Sequence, residues 1–207
     1  MRATLESLIH RDHTTMRWSG GTTTELAIYP VSANYKQGNY LWRLSTATVE
    51  VETSLFSALP GITRTLMLLD GNMVLRHAGH HEARLRPFDQ DQFDGGWTTH
   101  SQGRGRDFNL MCAAGVQGDL AAVPIDGRDA RCEAWSGEPA SWIAWYSVDG
   151  DVTICTPGEK ATLRCGAILV AAGAWLSHEP ELVMENPTDQ KTVIIRCTIR
   201  LTGQSPP

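Results

Sequence analysis

No uninterrupted apolar run in this 207-residue chain exceeds the one from Ala167 to Ala172, whereas a membrane-spanning helix needs roughly 20 such residues. A membrane partner through a helical span is therefore excluded. Basic residues are few and scattered: 18 Lys and Arg stand against 23 Asp and Glu, a formal net charge of −5, which argues against nucleic acid as a partner. The five cysteines (Cys112, Cys132, Cys155, Cys165 and Cys197) are odd in number and form no Cys-x-x-Cys pair. They read as reduced, mostly buried thiols, with neither a zinc knuckle nor a disulfide framework expected. Residues Met1 to His13 intersperse Arg2, Glu6, Arg11 and Asp12 among apolar positions, unlike the continuous apolar block of a secretory signal. A cytoplasmic location is the expectation. No Gly-x-Ser-x-Gly elbow or His-Glu-x-x-His helix is present, so no hydrolytic machinery is visible.

Apolar repeats at helical spacing are also missing. Glycine and proline punctuate the chain every ten residues or so, and the segments between them alternate or are β-branched, an all-β pattern. The best strands are Thr22 to Tyr29, Trp42 to Val51, Thr65 to Leu75, Phe108 to Ala113, Trp142 to Ile154, Ala167 to Ala172 and Thr192 to Leu201. Within them lies a repeat. Leu68-Leu69-Asp70-Gly71-Asn72-Met73-Val74-Leu75 returns as Ser147-Val148-Asp149-Gly150-Asp151-Val152-Thr153-Ile154, Leu85-Arg86 returns as Leu163-Arg164, and Phe108 to Cys112 returns as Val193 to Cys197. Asp-Gly supplies the positive φ of a two-residue turn, so both copies read as hairpins. A β unit present twice predicts a duplicated barrel or sandwich, divided into residues 1–115 and 116–207.

Four segments carry a family resemblance: Trp18-Ser19-Gly20-Gly21-Thr22-Thr23-Thr24-Glu25, Trp42-Arg43-Leu44-Ser45, Phe56-Ser57-Ala58-Leu59-Pro60-Gly61-Ile62-Thr63-Arg64 and Asp107-Phe108-Asn109-Leu110-Met111. In order and spacing they resemble the HutD/Ves family. That resemblance implies an all-β double cupin, two β-barrel or jelly-roll units in one chain, from a bacterial protein with no established catalytic activity. It also implies a role beside histidine degradation or in stress responses, with a small acidic metabolite of the formylglutamate or urocanate class as partner. No cofactor is implied. A homodimer is compatible with the sequence.

Strand alternation assigns the candidate ligand-binding residues to faces. Arg43 and Ser45 share a face with Ala47, Val49 and Val51; Arg64 lies with Leu66 and Leu68; Asp107 and Asn109 lie with Met111; Glu25 lies with Thr23, Ala27 and Tyr29. A planar guanidinium on an inward face matches a carboxylate in bidentate fashion, while pairing of Arg43 with Glu25 or Asp107 to close the barrel end is the structural alternative. Trp18 and the glycines after it read as a tight turn that brings the indole over the barrel mouth. The segment does not read as a phosphate loop, because no Gly-Lys-Ser/Thr ending follows.

His77, His80, His81 and Glu82 offer a second reading, a metal-dependent cupin enzyme. Adjacent residues of a strand point to opposite faces, so His80 and His81 are not expected to share a metal. Ala78-Gly79 further suggests a solvated loop, and no metal ligands are assigned. A third reading is a structural or oligomerising protein with a vestigial pocket.

Overall fold

The computed structural model describes residues 4–10, 13–134, 141–173 and 181–202. The first half contains β1 (Ile9–His10), β2 (Thr14–Trp18), β3 (Gly21–Tyr29), β4 (Trp42–Val49), β5 (Thr53–Leu55), β6 (Ile62–Gly71), β7 (Met73–His77), β8 (Glu82–Leu85), β9 (Gln90–Asp94), β10 (Thr99–Gln102) and β11 (Gly105–Ala113). The second contains β12 (Val116–Ile125), β13 (Ala130–Ala134), β14 (Ser141–Ser147), β15 (Val152–Cys155), β16 (Lys160–Leu163), β17 (Ile168–Ala172), β18 (Glu181–Glu185) and β19 (Thr192–Leu201). A single helical turn, α1 (Leu5–Leu8), is capped by Thr4, whose side chain accepts from the Ser7 amide. Among the described residues no helix is long and apolar enough to cross a membrane.

The chain forms two compact units, one from His13 to Gly118 and one from Asp119 to Thr202 together with the residues before His13. In the first unit the sheets run β2-β3-β4-β11-β6-β9 and β5-β10-β7-β8. In the second they run β1-β17-β14-β19-β12 and β13-β18-β15-β16. Read from its other edge, β12-β19-β14-β17 reproduces β4-β11-β6-β9 strand for strand, and β13-β18-β15-β16 reproduces β5-β10-β7-β8. The fold is an all-β double cupin, each unit made of two antiparallel sheets with a core between them.

The Asp-Gly pairs occupy equivalent places, but they are not hairpin turns. β6 pairs with β9 and β11, whereas β7 pairs with β8 and β10, so Asp70-Gly71 marks the corner where the chain leaves one sheet for the other. Asp149-Gly150 does the same between β14 and β15, its Asp149 carboxylate accepting from Thr192 Oγ1 at 2.8 Å and the Val193 amide at 3.0 Å. The Asp-Gly signal reports local backbone geometry and says nothing of which strands pair; here the long-range partners win. Among the described residues a two-residue hairpin turn is found at Ser19-Gly20, between Trp18 and its partner Gly21.

At the first corner Gly71 has φ 89, and a Cβ there would lie 2.2 Å from the Arg104 carbonyl oxygen. Gly71→Ala is therefore expected to destabilise the protein by about 1–3 kcal/mol, read as a lower urea midpoint at unchanged slope.

The cores explain why the two units differ inside. In the first, Leu66, Leu68, Met73, Leu75, Leu85 and Phe93 fill one end of the space between the sheets. In the second, Trp145, Ile143, Ile154, Leu163, Leu169, Met184 and Ile194 form a continuous packed cluster. The shift that equates the two Asp-Gly corners equates Arg64 of β6 with Ile143 of β14, a member of that cluster. Apolar side chains fill in the second unit what a guanidinium lines in the first.

Candidate functional site

The first unit encloses a cavity of about 370 Å³. Its floor comes from β4 and β11, adjacent antiparallel strands whose inward rows carry Arg43, Ser45, Ala47 and Val49 on one and Asp107, Asn109 and Met111 on the other. Arg64 of β6 closes one side. Trp18 and Thr23 of the β2–β3 hairpin, Tyr35 and Lys36 of a 3-10 turn, and the Leu55-Phe56-Ser57 segment form the rim. Gly20 lets the hairpin hold Trp18 close, since a Cβ at Gly20 would lie 2.0 Å from the indole ring.

Arg43 is fully buried and held at nearly every atom. Its Nε donates to Glu25 Oε2 at 2.7 Å, its Nη1 donates to Ser45 Oγ at 3.1 Å, and its guanidinium lies 4.3 Å from the centre of the Tyr35 ring. Its remaining nitrogen, Nη2, is buried without a partner. The pairing with Glu25 and a free donor for a ligand thus coexist. A β-bulge makes this possible: Glu25 faces Ser45 but Ala27 faces Leu44, so Leu26 is the extra residue. The bulge reverses the alternation beyond it. Contrary to the regular pattern expected from the sequence, Ala27 and Tyr29 do not share the face of Glu25; Tyr29 stacks on Trp42 on the opposite face, at 5.8 Å between ring centres.

Arg64 lies against two aromatic rings that adjoin each other, 4.8 Å from the centre of the Phe56 ring and 5.2 Å from that of its cross-strand neighbour Phe93. Its Nε is buried and unpartnered, as are Asp107 Oδ1, Asn109 Oδ1 and Trp18 Nε1. Burial lowers the Arg64 pKa, opposed by Asp107, but a guanidinium keeps its proton at physiological pH. Burial also pushes the Asp107 carboxyl up to about 7, with Arg64 pulling the other way. Arg43 is balanced by Glu25, so the buried wall of the cavity carries one net positive charge, that of Arg64, while Asp107 is protonated, and Lys36 adds a second at the rim.

The structure brings Trp18, Arg43, Ser45, Arg64, Asp107 and Asn109 to this one cavity, and it sets Glu25 behind Arg43 as its counterion. Sequence reasoning missed Tyr35, Phe56 and Phe93, the aromatic supports of the two guanidiniums, and the exposed rim lysine, Lys36. Phe56 sits within a segment singled out above, but nothing in alternation predicts that an irregular segment lies against Arg64. Tyr35 belongs to a turn begun by Asn34, whose side chain accepts from the Lys36 amide at 2.9 Å.

His77 is not a solvated loop residue. It ends the inward row Met73, Leu75, His77 of β7 and is buried, its ring against Phe93 with centres 4.5 Å apart. Its Nδ1 meets Thr99 Oγ1 and its Nε2 meets Asp91 Oδ2, both at 2.8 Å, while His81 Nε2 meets Asp91 Oδ1 at 2.9 Å. Burial lowers the His77 pKa, opposed by Asp91. His80 stacks on Trp97 at 3.7 Å, and Glu82 turns outward to Arg76 and Arg84. His80 and Glu82 therefore stand apart from the His77, His81 and Asp91 group.

The model of the HutD family matches residues 10–192. The fold is similar to that of a conserved protein of unknown function from Pseudomonas aeruginosa PAO1, with 25% identity, a TM-score of 0.73, and 93% of this chain and 97% of that one covered. It is also similar to HutD from Pseudomonas fluorescens SBW25, solved in a formate condition, with 24% identity, a TM-score of 0.66, and 95% and 98% covered. A formate complex of Lactobacillus farciminis oxalate decarboxylase shares the fold at 10% identity and a TM-score of 0.66, with 95% and 87% covered. No curated protein matches the chain.

Proposed function

The chain belongs to the HutD family, and from that premise we propose that it is a non-catalytic binder of a small carboxylate metabolite, with an accessory or regulatory role in histidine utilisation in the cytoplasm. One observation carries the binding role: polar atoms of Trp18, Arg43, Arg64, Asp107 and Asn109, all lining one cavity, are buried without partners. A buried unpaired polar atom costs roughly 1–3 kcal/mol, and five such atoms around one cavity support a polar ligand that pairs with them. Arg43 Nη2 and Arg64 Nε are donors suited to a carboxylate oxygen each. The net positive charge fits a monoanion, and the Phe56 and Tyr35 rings keep both forks oriented as a ligand arrives. Exposed Lys36 at the rim steers anions inward.

The formylglutamate or urocanate class satisfies these demands: a carboxylate for the arginines and a second polar group for Asn109 and Asp107. Titration calorimetry with formate, formylglutamate, urocanate and glutamate tests it. At least one of these acids is expected to bind clearly below the millimolar range, with most of that affinity lost in Arg64→Met and a smaller part in Arg43→Ala. If all four bind only at millimolar levels or not at all, the reading is wrong.

A further inference from the structure

The geometry points to a second site in the first unit, a divalent transition-metal site formed by His77, His81 and Asp91. Three potential ligands from the end of β7, the following loop and β9 converge so that their ligating atoms lie within 4.8 Å of one another. Two imidazole nitrogens and a carboxylate are a borderline donor set, suited to zinc, cobalt, nickel or iron rather than to calcium or magnesium.

The surroundings of His77 match those of a metal ligand. Metal-binding imidazoles are oriented by a hydrogen bond at the other ring nitrogen, and Thr99 Oγ1 provides it at Nδ1. The Thr99 hydroxyl also lies 3.4 Å from the Trp97 carbonyl oxygen. It therefore has two settings. With Nε2–H donating to Asp91, the hydroxyl donates to the bare Nδ1. With a metal on Nε2, the ring proton moves to Nδ1 and donates to Thr99, whose hydroxyl then donates to Trp97. No buried group loses its partner in either setting.

A hydrogen-bonded clamp, with Asp91 accepting from both rings, is the competing account. A tetrahedral ion with bonds of about 2.0–2.2 Å would hold its ligands roughly 3.3 Å apart, so the present 2.8 and 2.9 Å separations must widen by about half an ångström. The loop allows this: Gly79, between the two histidines, has φ 78 and open space around it. His81 is 41% exposed, giving an ion a way in and leaving coordination positions for water, whereas Phe93 and Trp97 wall the inner side.

Calorimetric titration of tag-free protein with Zn²⁺, and visible spectra with Co²⁺, test the site. We expect one Zn²⁺ per chain and Co²⁺ d–d bands without a thiolate charge-transfer band. His81→Ala and Asp91→Asn should each weaken Zn²⁺ binding about tenfold or more. Thr99→Val, which replaces no ligand but removes the hydrogen bond at His77 Nδ1, should weaken it to a lesser but measurable degree. His80→Ala should leave it unchanged. His81 is exposed, so His81→Ala is expected to melt as the parent does and keeps the test independent of folding. The proposal is overturned by no saturable one-to-one binding, by a thiolate band, by unchanged affinity in both His81→Ala and Asp91→Asn, or by an equal loss in His80→Ala.

Discussion

Arg64→Met is expected to bind its carboxylate ligand about 30-fold to several thousand-fold more weakly than the parent, a loss of about 2–5 kcal/mol. Methionine keeps an apolar stem against Phe56 and Phe93, so the packing there is preserved while the charge and donors are removed. The loss is large because the guanidinium is desolvated before the ligand arrives: burial lowers its pKa, and a carboxylate in its place of water recovers that cost. Arg64→Lys should lose most of the same affinity, since a point ammonium neither stacks on an aromatic face as a planar guanidinium does nor offers a fork. Arg43→Ala should lose less through the ligand itself, because only one of its nitrogens is free. It also strands the Glu25 carboxylate, which is 26% exposed and partly solvated. Calorimetry at one pH, with thermal melts of each variant, distinguishes lost contacts from lost folding.

The second large effect concerns Asp107 and pH. Its carboxyl is pushed up to about 7 in the folded protein, against an ordinary value of 3.8. Between these values the folded state binds a proton that the unfolded state has released, so stability falls as pH rises through this window. The penalty is complete above about pH 7 and amounts to roughly 4 kcal/mol. Asp107→Asn keeps the shape without the charge. The variant is expected to gain stability on the order of 4 kcal/mol over the parent at pH 8 and little at pH 4, measured by urea unfolding at both pH values. The same proton governs the ligand. Ionised Asp107 competes with a bound carboxylate for Arg64, so the parent should bind monoanions more weakly above pH 7, by up to about tenfold per pH unit, while Asp107→Asn should bind almost independently of pH between 6 and 8. Equal pH dependence in both proteins would remove Asp107 from the account.

Much of this architecture is legible in the sequence, and the limits of legibility have physical causes. The duplication shows because corresponding strands keep their spacing: β6 with β14, β8 with β16, β11 with β19. The polar faces of β4 and β11 show because alternation is a local property of extended backbone. What alternation does not reveal is where it breaks. The extra residue Leu26 reverses the face of β3 beyond Glu25, and no composition cue marks it. Nor does Asp70-Gly71 announce that its flanking strands pair elsewhere, since pairing is decided by distant β10 and β11. His77 was unreadable for a similar reason. Its partner Asp91 is fourteen residues away on β9, and the short-range pattern His80-His81 draws attention to two adjacent residues of which only His81 joins the site. Of the aromatic supports of Arg43 and Arg64, Tyr35 and Phe56 lie in a turn and an irregular segment, where no periodicity exists to assign a face, and Phe93 lies on the short strand β9, whose partner strand is not marked by local pattern.

The central claim is that one cavity of the first unit takes a carboxylate on Arg64 and Arg43. Side-chain Nε–H resonances of ¹⁵N-arginine-labelled protein test it directly, because Arg64 Nε is buried and unpartnered whereas Arg43 Nε already donates to Glu25. On titration with formylglutamate or urocanate, the Arg64 Nε–H signal, assigned by its absence in Arg64→Lys, should shift saturably and downfield while the Arg43 Nε–H signal moves little. If a ligand binds by calorimetry and the Arg64 signal stays where it is, the carboxylate is held elsewhere and the account is contradicted.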